Sequence, residues 1–247
     1  MAELFNHTTN RQGLIVYGGE ASADYGMVVS EAPAFEKPAR KCTTYQVPGR
    51  NGAQIFQQDA WEDVPRRYPV WIAGDENETL AEKVDALMGW LYSKKGYTRL
   101  EDNFEPEVYR LAYYNGGQDV SNELTQYGEA TLLFTCRPER FYKSGDLPIT
   151  VTNGVKVNNP TRYTSHPLIH IEGSGTVTVT IGGKTMSATV TDYINIDTDA
   201  MNAYRQANEN KNDKISGDFP QILPGVNTIG LTGTVSKCTI APRYFTI

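Results

Sequence analysis

Apolar and polar residues alternate along most of this chain, and a period of two predicts β-strands with one buried face. Short runs of this kind occupy residues 13–17, 25–29, 41–47, 53–57 and 68–73. Pro69 lacks an amide proton, which predicts that its run sits at a sheet edge or a strand start. Between the third and fourth runs lies Val47-Pro48-Gly49-Arg50-Asn51-Gly52. Pro48-Gly49 suits a type II turn, and Asn51-Gly52 is a strong signal for a two-residue type I′ turn. The segment therefore predicts a protruding hairpin with Arg50 at its tip.

The period then changes. Gly74-Asp75-Glu76-Asn77 breaks the β pattern, and Leu80, Val84, Leu87, Met88 and Leu91 recur at three- and four-residue spacing. That stripe predicts one helix over about 78–93. Thr79 and Glu82 have capping-box spacing, Asn77 is a rival cap, and Gly96 after Lys94-Lys95 suits the C′ position. Burial of the five side chains contributes about 7–15 kcal/mol gross, an upper bound that suffices to pin a helix on a sheet.

Strands resume at 107–114 and 127–136, with Arg137-Pro138 expected to end the second. The turn-rich stretch from 143–148 to Asn158-Asn159-Pro160 marks a domain boundary. Beyond it, runs at 166–172, 176–181, 184–190, 193–197, 228–231 and 237–241 surround a polar loop over 199–218. Many short strands with Gly and Pro turns describe a β-sandwich. The expected architecture is mainly β, with two sandwich domains over 1–148 and 149–247 and a single helix in the first.

Composition narrows the function. The 247 residues carry a net charge of −6, and the basic pairs Arg66-Arg67 and Lys94-Lys95 are not tracts. A nucleic-acid-binding surface normally needs a basic patch, so that class is disfavoured. The first residues have no basic or apolar leader pattern, and no apolar run is long enough to span a bilayer. Fifteen tyrosines against eight phenylalanines favour half-buried sheets and protein interfaces. The three cysteines, Cys42, Cys136 and Cys238, are expected to be small buried thiols.

Candidate chemistry is sparse. His166 and His170 would share a strand face, but a third metal ligand is lacking. Gly183-Lys184-Thr185 echoes the end of a phosphate-binding loop whose first glycine is replaced by Thr178. Asp192, Asp197 and Asp199 cluster in sequence, and paired carboxylates can hydrolyse glycosides, yet such residues also cap turns. Asn208, Asn210 and Asn212 have the spacing of the first calcium-loop ligands without the glycine and glutamate that complete one. No catalytic, cofactor-binding or metal-ligating set is therefore assigned, and no enzyme activity is expected.

Taken in order, several motifs resemble the distal tail protein (Dit) family of siphovirus-type bacteriophages. These are the hairpin at 47–52, Gly74, the helix ending Gly89-Trp90-Leu91, and Phe134 with Arg137-Pro138. Further on come Asn158-Asn159-Pro160, the 167–173 strand and the 223–230 turn and strand. The resemblance implies a structural virion protein: a homohexameric ring, or baseplate hub, at the distal end of a phage tail. It implies a ring-forming N-terminal sandwich whose hairpin reaches a neighbour, and a galectin-like C-terminal sandwich facing outward. The implied partners are other copies of the chain, the major tail tube protein, and a tail-associated lysin or tail fibre protein. A receptor-binding protein or a host saccharide is possible through the C-terminal domain, whose alternative role is carbohydrate binding or host adhesion. DNA would only pass through the bore, and no membrane or cofactor is implied.

Overall fold

Alternation carries the N-terminal half into one curled sheet. A computed structural model describes residues 13–73, 78–116, 121–124, 127–206 and 209–247, with backbone alone for 121–124 and 127. The expected break at 74–77, the rival cap Asn77, Gly117 and Asn208 lie outside the described residues. Contacts divide the chain into two compact units, residues 1–140 with 247, and residues 141–246.

The first unit contains β1 (Ile15–Tyr17), β2 (Glu20–Ala21), β3 (Met27–Val29), β4 (Arg40–Gln46), β5 (Ala53–Trp61) and β6 (Val64–Ala73). Then come α1 (Leu80–Ser93), β7 (Thr98–Asp102), β8 (Val108–Tyr114), β9 (Ser121–Leu124) and β10 (Tyr127–Tyr142), whose last two residues belong to the second unit. The main sheet runs β2-β1-β7-β8-β10-β6-β3. It curls far enough that Gly13, just before β1, pairs with Val29 at the end of β3. Inward residues from these strands, among them Ile15, Tyr17, Val70, Leu100, Leu132 and Phe134, fill one core.

Helix α1 closes over that core. Its capping box forms as expected: the Thr79 hydroxyl accepts from the Glu82 amide, and the Glu82 carboxylate accepts from the Thr79 amide at 2.8 Å. Leu80, Leu87 and Leu91 are buried, Val84 and Met88 are half-buried, and Trp90 joins them. The Trp90 ring stacks on Tyr25 at 4.7 Å and its Nε1 donates to the Tyr17 carbonyl at 3.1 Å. The helix stops at Lys94, which is extended; Gly96, with φ 66°, turns the chain two residues later and is not the C′ residue.

Two proline expectations are corrected. Pro69 lies inside β6, between β10 and β3. Its carbonyl accepts from Ser30, so its missing N–H points to the same side, where β3 pairing has already ended at Val29↔Val70. Pro138 does not end its strand, because β10 continues to Tyr142 while its ladder with β6 stops at Cys136↔Val64.

The second unit contains β11 (Ile149–Thr150), β12 (Lys156–Asn159), β13 (Leu168–Ile181), β14 (Lys184–Val190), β15 (Tyr193–Asp197) and β16 (Asn202–Tyr204). It ends with β17 (Ile215–Gly217), β18 (Gly225–Thr228), β19 (Gly230–Ala241) and β20 (Phe245–Thr246). The two runs expected at 166–172 and 176–181 are one strand, β13, flanked by β19 on one edge and by β15 and then β14 on the other. Gly182 and Gly183, both at positive φ, join β13 to β14 in a two-residue turn. The pair β12-β18 forms a separate small sheet, and residues of both sheets share the core around Ile169, Val179, Val157 and Ile229. The polar 199–218 segment, expected to be a loop, contains β16, which pairs with β15, and β17, which pairs with β14.

Candidate functional site

Strands β4 and β5 stand apart from the curled sheet and form the surface most open to a partner. They pair from Gln46↔Ala53 through Thr43↔Phe56 to Cys42↔Gln57, with a shift in register before Arg40↔Trp61. The sheet has two strands only, so among the described residues the outer edge of each is unpaired. The nine residues of β5 give the arm a length of about 30 Å. At its base the Glu62 amide donates to Ala39 at 2.8 Å, and the Arg40 guanidinium lies 4.7 Å from the centre of the Trp61 ring.

The tip differs from the expected pair of tight turns. The Arg50 amide donates to the Val47 carbonyl at 3.1 Å, with Pro48 second and Gly49 third at φ 77°, as a type II turn requires. Asn51 does not adopt positive φ, so Asn51-Gly52 is not a type I′ turn. The Pro-Gly turn has already reversed the chain, and a second tight reversal would turn it away from β4. Six residues, 47–52, make the connection.

Both faces of the arm are in solvent. Tyr45 is 58% exposed, Ile55 60% and Phe56 51%. An isolated two-stranded hairpin is marginally stable in water. Its unpaired edges contain no proline and few charges, and so are templates for another strand. The same exposure corrects one cysteine: Cys42, on β4, is exposed, whereas Cys136 and Cys238 are buried. Burial pushes their thiols up to about 12 and about 11, which keeps them protonated and unreactive.

Beneath the arm's attachment, a buried ionic network stiffens the first unit. Arg66, on β6, donates to Asp102 at 3.0 Å, to Glu105 at 3.4 Å and to the Ala34 carbonyl at 2.9 Å. Tyr68 donates to the same Asp102 oxygen at 2.8 Å. Glu105 is also bound by Arg110 and by Arg140, the latter at 2.8 Å. Burial alone would raise the Glu105 carboxyl, but these arginines outweigh it and hold it below the usual carboxylate range. In the sequence this network is signalled only by charged residues, such as Arg66, at inward strand positions.

In the second unit the sequence-level candidates are dispersed. Asp197 is clamped by Arg243, at 2.7 and 3.0 Å, and accepts from the amides of Asp199 and Ala200. Burial opposes ionisation there, yet the Arg243 hydrogen bond and those amides hold the carboxyl below its ordinary value. Bonded to Arg243 and to two backbone amides, Asp197 organises the β15–β16 turn. Asp192 pairs with Arg205 at 3.1 Å instead. His170, on β13, meets Asn195 at 2.8 Å and Glu172 at 3.3 Å, whereas His166 precedes the strand. Asn210 and Asn212 accept from the amides of Asn212 and Ala203, as turn-stabilising side chains do. Lys184 opens β14 after a hairpin turn, not a helix after a phosphate loop.

His166 and Asp199 do share one feature, an open cleft of about 340 Å³ that also involves Lys184, Met201, Asp218 and Phe219. Met201 reaches it from the β15–β16 turn at φ 48°, with its side chain largely exposed. Among the described residues, no group of three or more His, Cys, Asp or Glu side chains is placed to hold a metal ion.

Comparison with known proteins gives this architecture a context. Residues 24–136 match the family model of the phage tail protein RIFT-related domain. No curated protein sequence matches the chain. Among solved structures, the Dit protein of phage SPP1 superposes with a TM-score of 0.73 at 16% identity, covering 95% of this chain and 99% of the other. That protein is described as a paradigm of the hub of the adsorption apparatus in phages that infect Gram-positive bacteria. Residues 24–136 are thus similar to the phage tail protein RIFT-related domain, and the chain as a whole shares the fold of that Dit protein.

Proposed function

We propose that this protein is a structural component of a phage tail tip, where six copies close into a ring that joins the tail tube to the adhesion apparatus. The observation that carries the proposal is the β4–β5 arm, which among the described residues presents two unpaired strand edges and exposed Tyr45, Ile55 and Phe56. A ring needs a head-to-tail contact whose rotation closes, and an arm that adds to a neighbouring copy supplies one. The first unit then builds the ring, and the second, a galectin-like sandwich, faces the adhesion proteins. The tail tube protein would bind above, and a tail-associated lysin or tail fibre protein below. A net charge of −6 suits a bore through which DNA passes without binding. The role is one of assembly, not catalysis. Shortening residues 46–54 should leave a folded monomer; a hexamer by light scattering after that deletion would overturn the proposal.

A second reading is carbohydrate binding or host adhesion by the second unit. The cleft at Met201 and Phe219 favours it, since an apolar surface beside Asp199, Asp218, His166 and Lys184 suits a polyhydroxylated ring. Glycan-array binding that is lost in Phe219→Ala would support this reading, and an array without signal would oppose it.

A further inference from the structure

The sequence contains three Asn-Gly pairs, Asn51-Gly52, Asn115-Gly116 and Asn153-Gly154. In such a pair the glycine nitrogen can attack the asparagine side chain, because no Cβ obstructs its approach. The structure separates two of them. Asn153 Oδ1 accepts from the Leu231 amide at 3.0 Å, and the Gly154 amide donates to the Ile229 carbonyl at 2.8 Å. The electrophile and the nucleophile of that pair are both tethered. Asn51 and Gly52 sit at the end of the β4–β5 arm, and among the described residues neither the Asn51 side chain nor the Gly52 amide has a hydrogen-bond partner. Both asparagines are exposed, so solvent access does not distinguish them. Asn115-Gly116 adjoins residues outside the described set.

We infer that Asn51 is a site of spontaneous deamidation, which acts as a chemical clock on the tip of the arm. Base removes the Gly52 amide proton, and the nitrogen forms a bond to Asn51 Cγ. The Cγ–Nδ2 bond breaks, and the nitrogen leaves as ammonia with a proton from solvent. Water then opens the cyclic imide at either carbonyl, leaving aspartate or isoaspartate in place of Asn51. The balance is one water consumed and one ammonia released, with no change of oxidation state. The product places a carboxylate beside Arg50, and the isoaspartate form adds a methylene to the backbone between the turn and β5. This chemistry is independent of the ring proposed above.

Peptide mapping by mass spectrometry tests it on the purified full chain held in mildly alkaline buffer at physiological temperature. The amide at Asn51 should be lost about tenfold or more faster than that at Asn153, which must first release two hydrogen bonds. In urea the two rates should converge, since both asparagines precede glycine. Acidic charge variants seen on ion exchange should diminish in Asn51→Gln. Equal rates in the folded protein, a faster loss at Asn153, or undiminished acidic variants in Asn51→Gln would each overturn the inference.

Discussion

Tyr45 and Phe56 meet edge to face on the arm, their ring centres 5.6 Å apart, while each remains more than half exposed. They stand on neighbouring strands but not directly opposite, since Phe56 pairs with Thr43 and Tyr45 with Gln54. Such a diagonal aromatic pair adds about 0.2–1 kcal/mol to a hairpin, too little to explain leaving two large apolar rings in water. Their exposure makes sense as an anchor for another chain. The double variant Tyr45→Ser, Phe56→Ser should therefore change the melting temperature little and weaken self-association strongly. Differential scanning calorimetry and sedimentation velocity on the same preparation check both halves of the expectation.

Arg66 and Asp102 predict the opposite pattern. Their side chains are 4% and 1% exposed, and Arg66 is the hub of the buried network. Removing one partner of a buried pair leaves a charge without compensation, at a cost of about 3–5 kcal/mol. Arg66→Met should lower stability by that order in a urea titration, with no specific effect on association beyond the loss of folded protein.

Acid should act through the same network. The folded-state carboxyl of Glu105, and that of Asp197 in the second unit, lie below their ordinary values. Each therefore contributes stability that is fully present above the unfolded carboxylate value of roughly 4 and is lost as the pH falls through the folded value. Unfolding free energy should be flat near neutrality and decline below about pH 4–5. Replacement of Asp197 by Asn should reduce the slope for the second unit, which fluorescence-detected unfolding across that range would measure.

Trp90 provides a test of the helix. It packs against Tyr17 and Tyr25 and donates to the Tyr17 carbonyl. Trp90→Ala should cost about 3–5 kcal/mol, and Trp90→Phe less, since the ring is partly kept while the hydrogen bond is lost. Chemical denaturation of the two variants gives the ordering directly.

Local periodicity made much of this fold legible. The α1 stripe, its Thr79–Glu82 box, β14 and β15 all follow from spacing and turn residues within a few positions. The errors arose where a distant strand decides the outcome. Pro69 and Pro138 look like strand limits until the ends of β3 and of the β6 ladder are known. Likewise the polar composition of 199–218 concealed β16 and β17, which exist because β15 and β14 offer them edges. The arm was visible as a hairpin, but the exposure of Cys42 and of Ile55 depends on β4 and β5 leaving the main sheet, which no local pattern encodes. The Arg66 network was not legible for the same reason: its members are spread from β6 to β10.

The central claim is that the β4–β5 arm joins copies of this chain into a ring, and the native mass of the protein tests it most directly. Light scattering coupled to size exclusion should give a hexamer for the full chain, and a folded monomer with unchanged circular dichroism when residues 46–54 are shortened. A full chain that stays monomeric across accessible concentrations, or a shortened one that remains hexameric, would contradict the account.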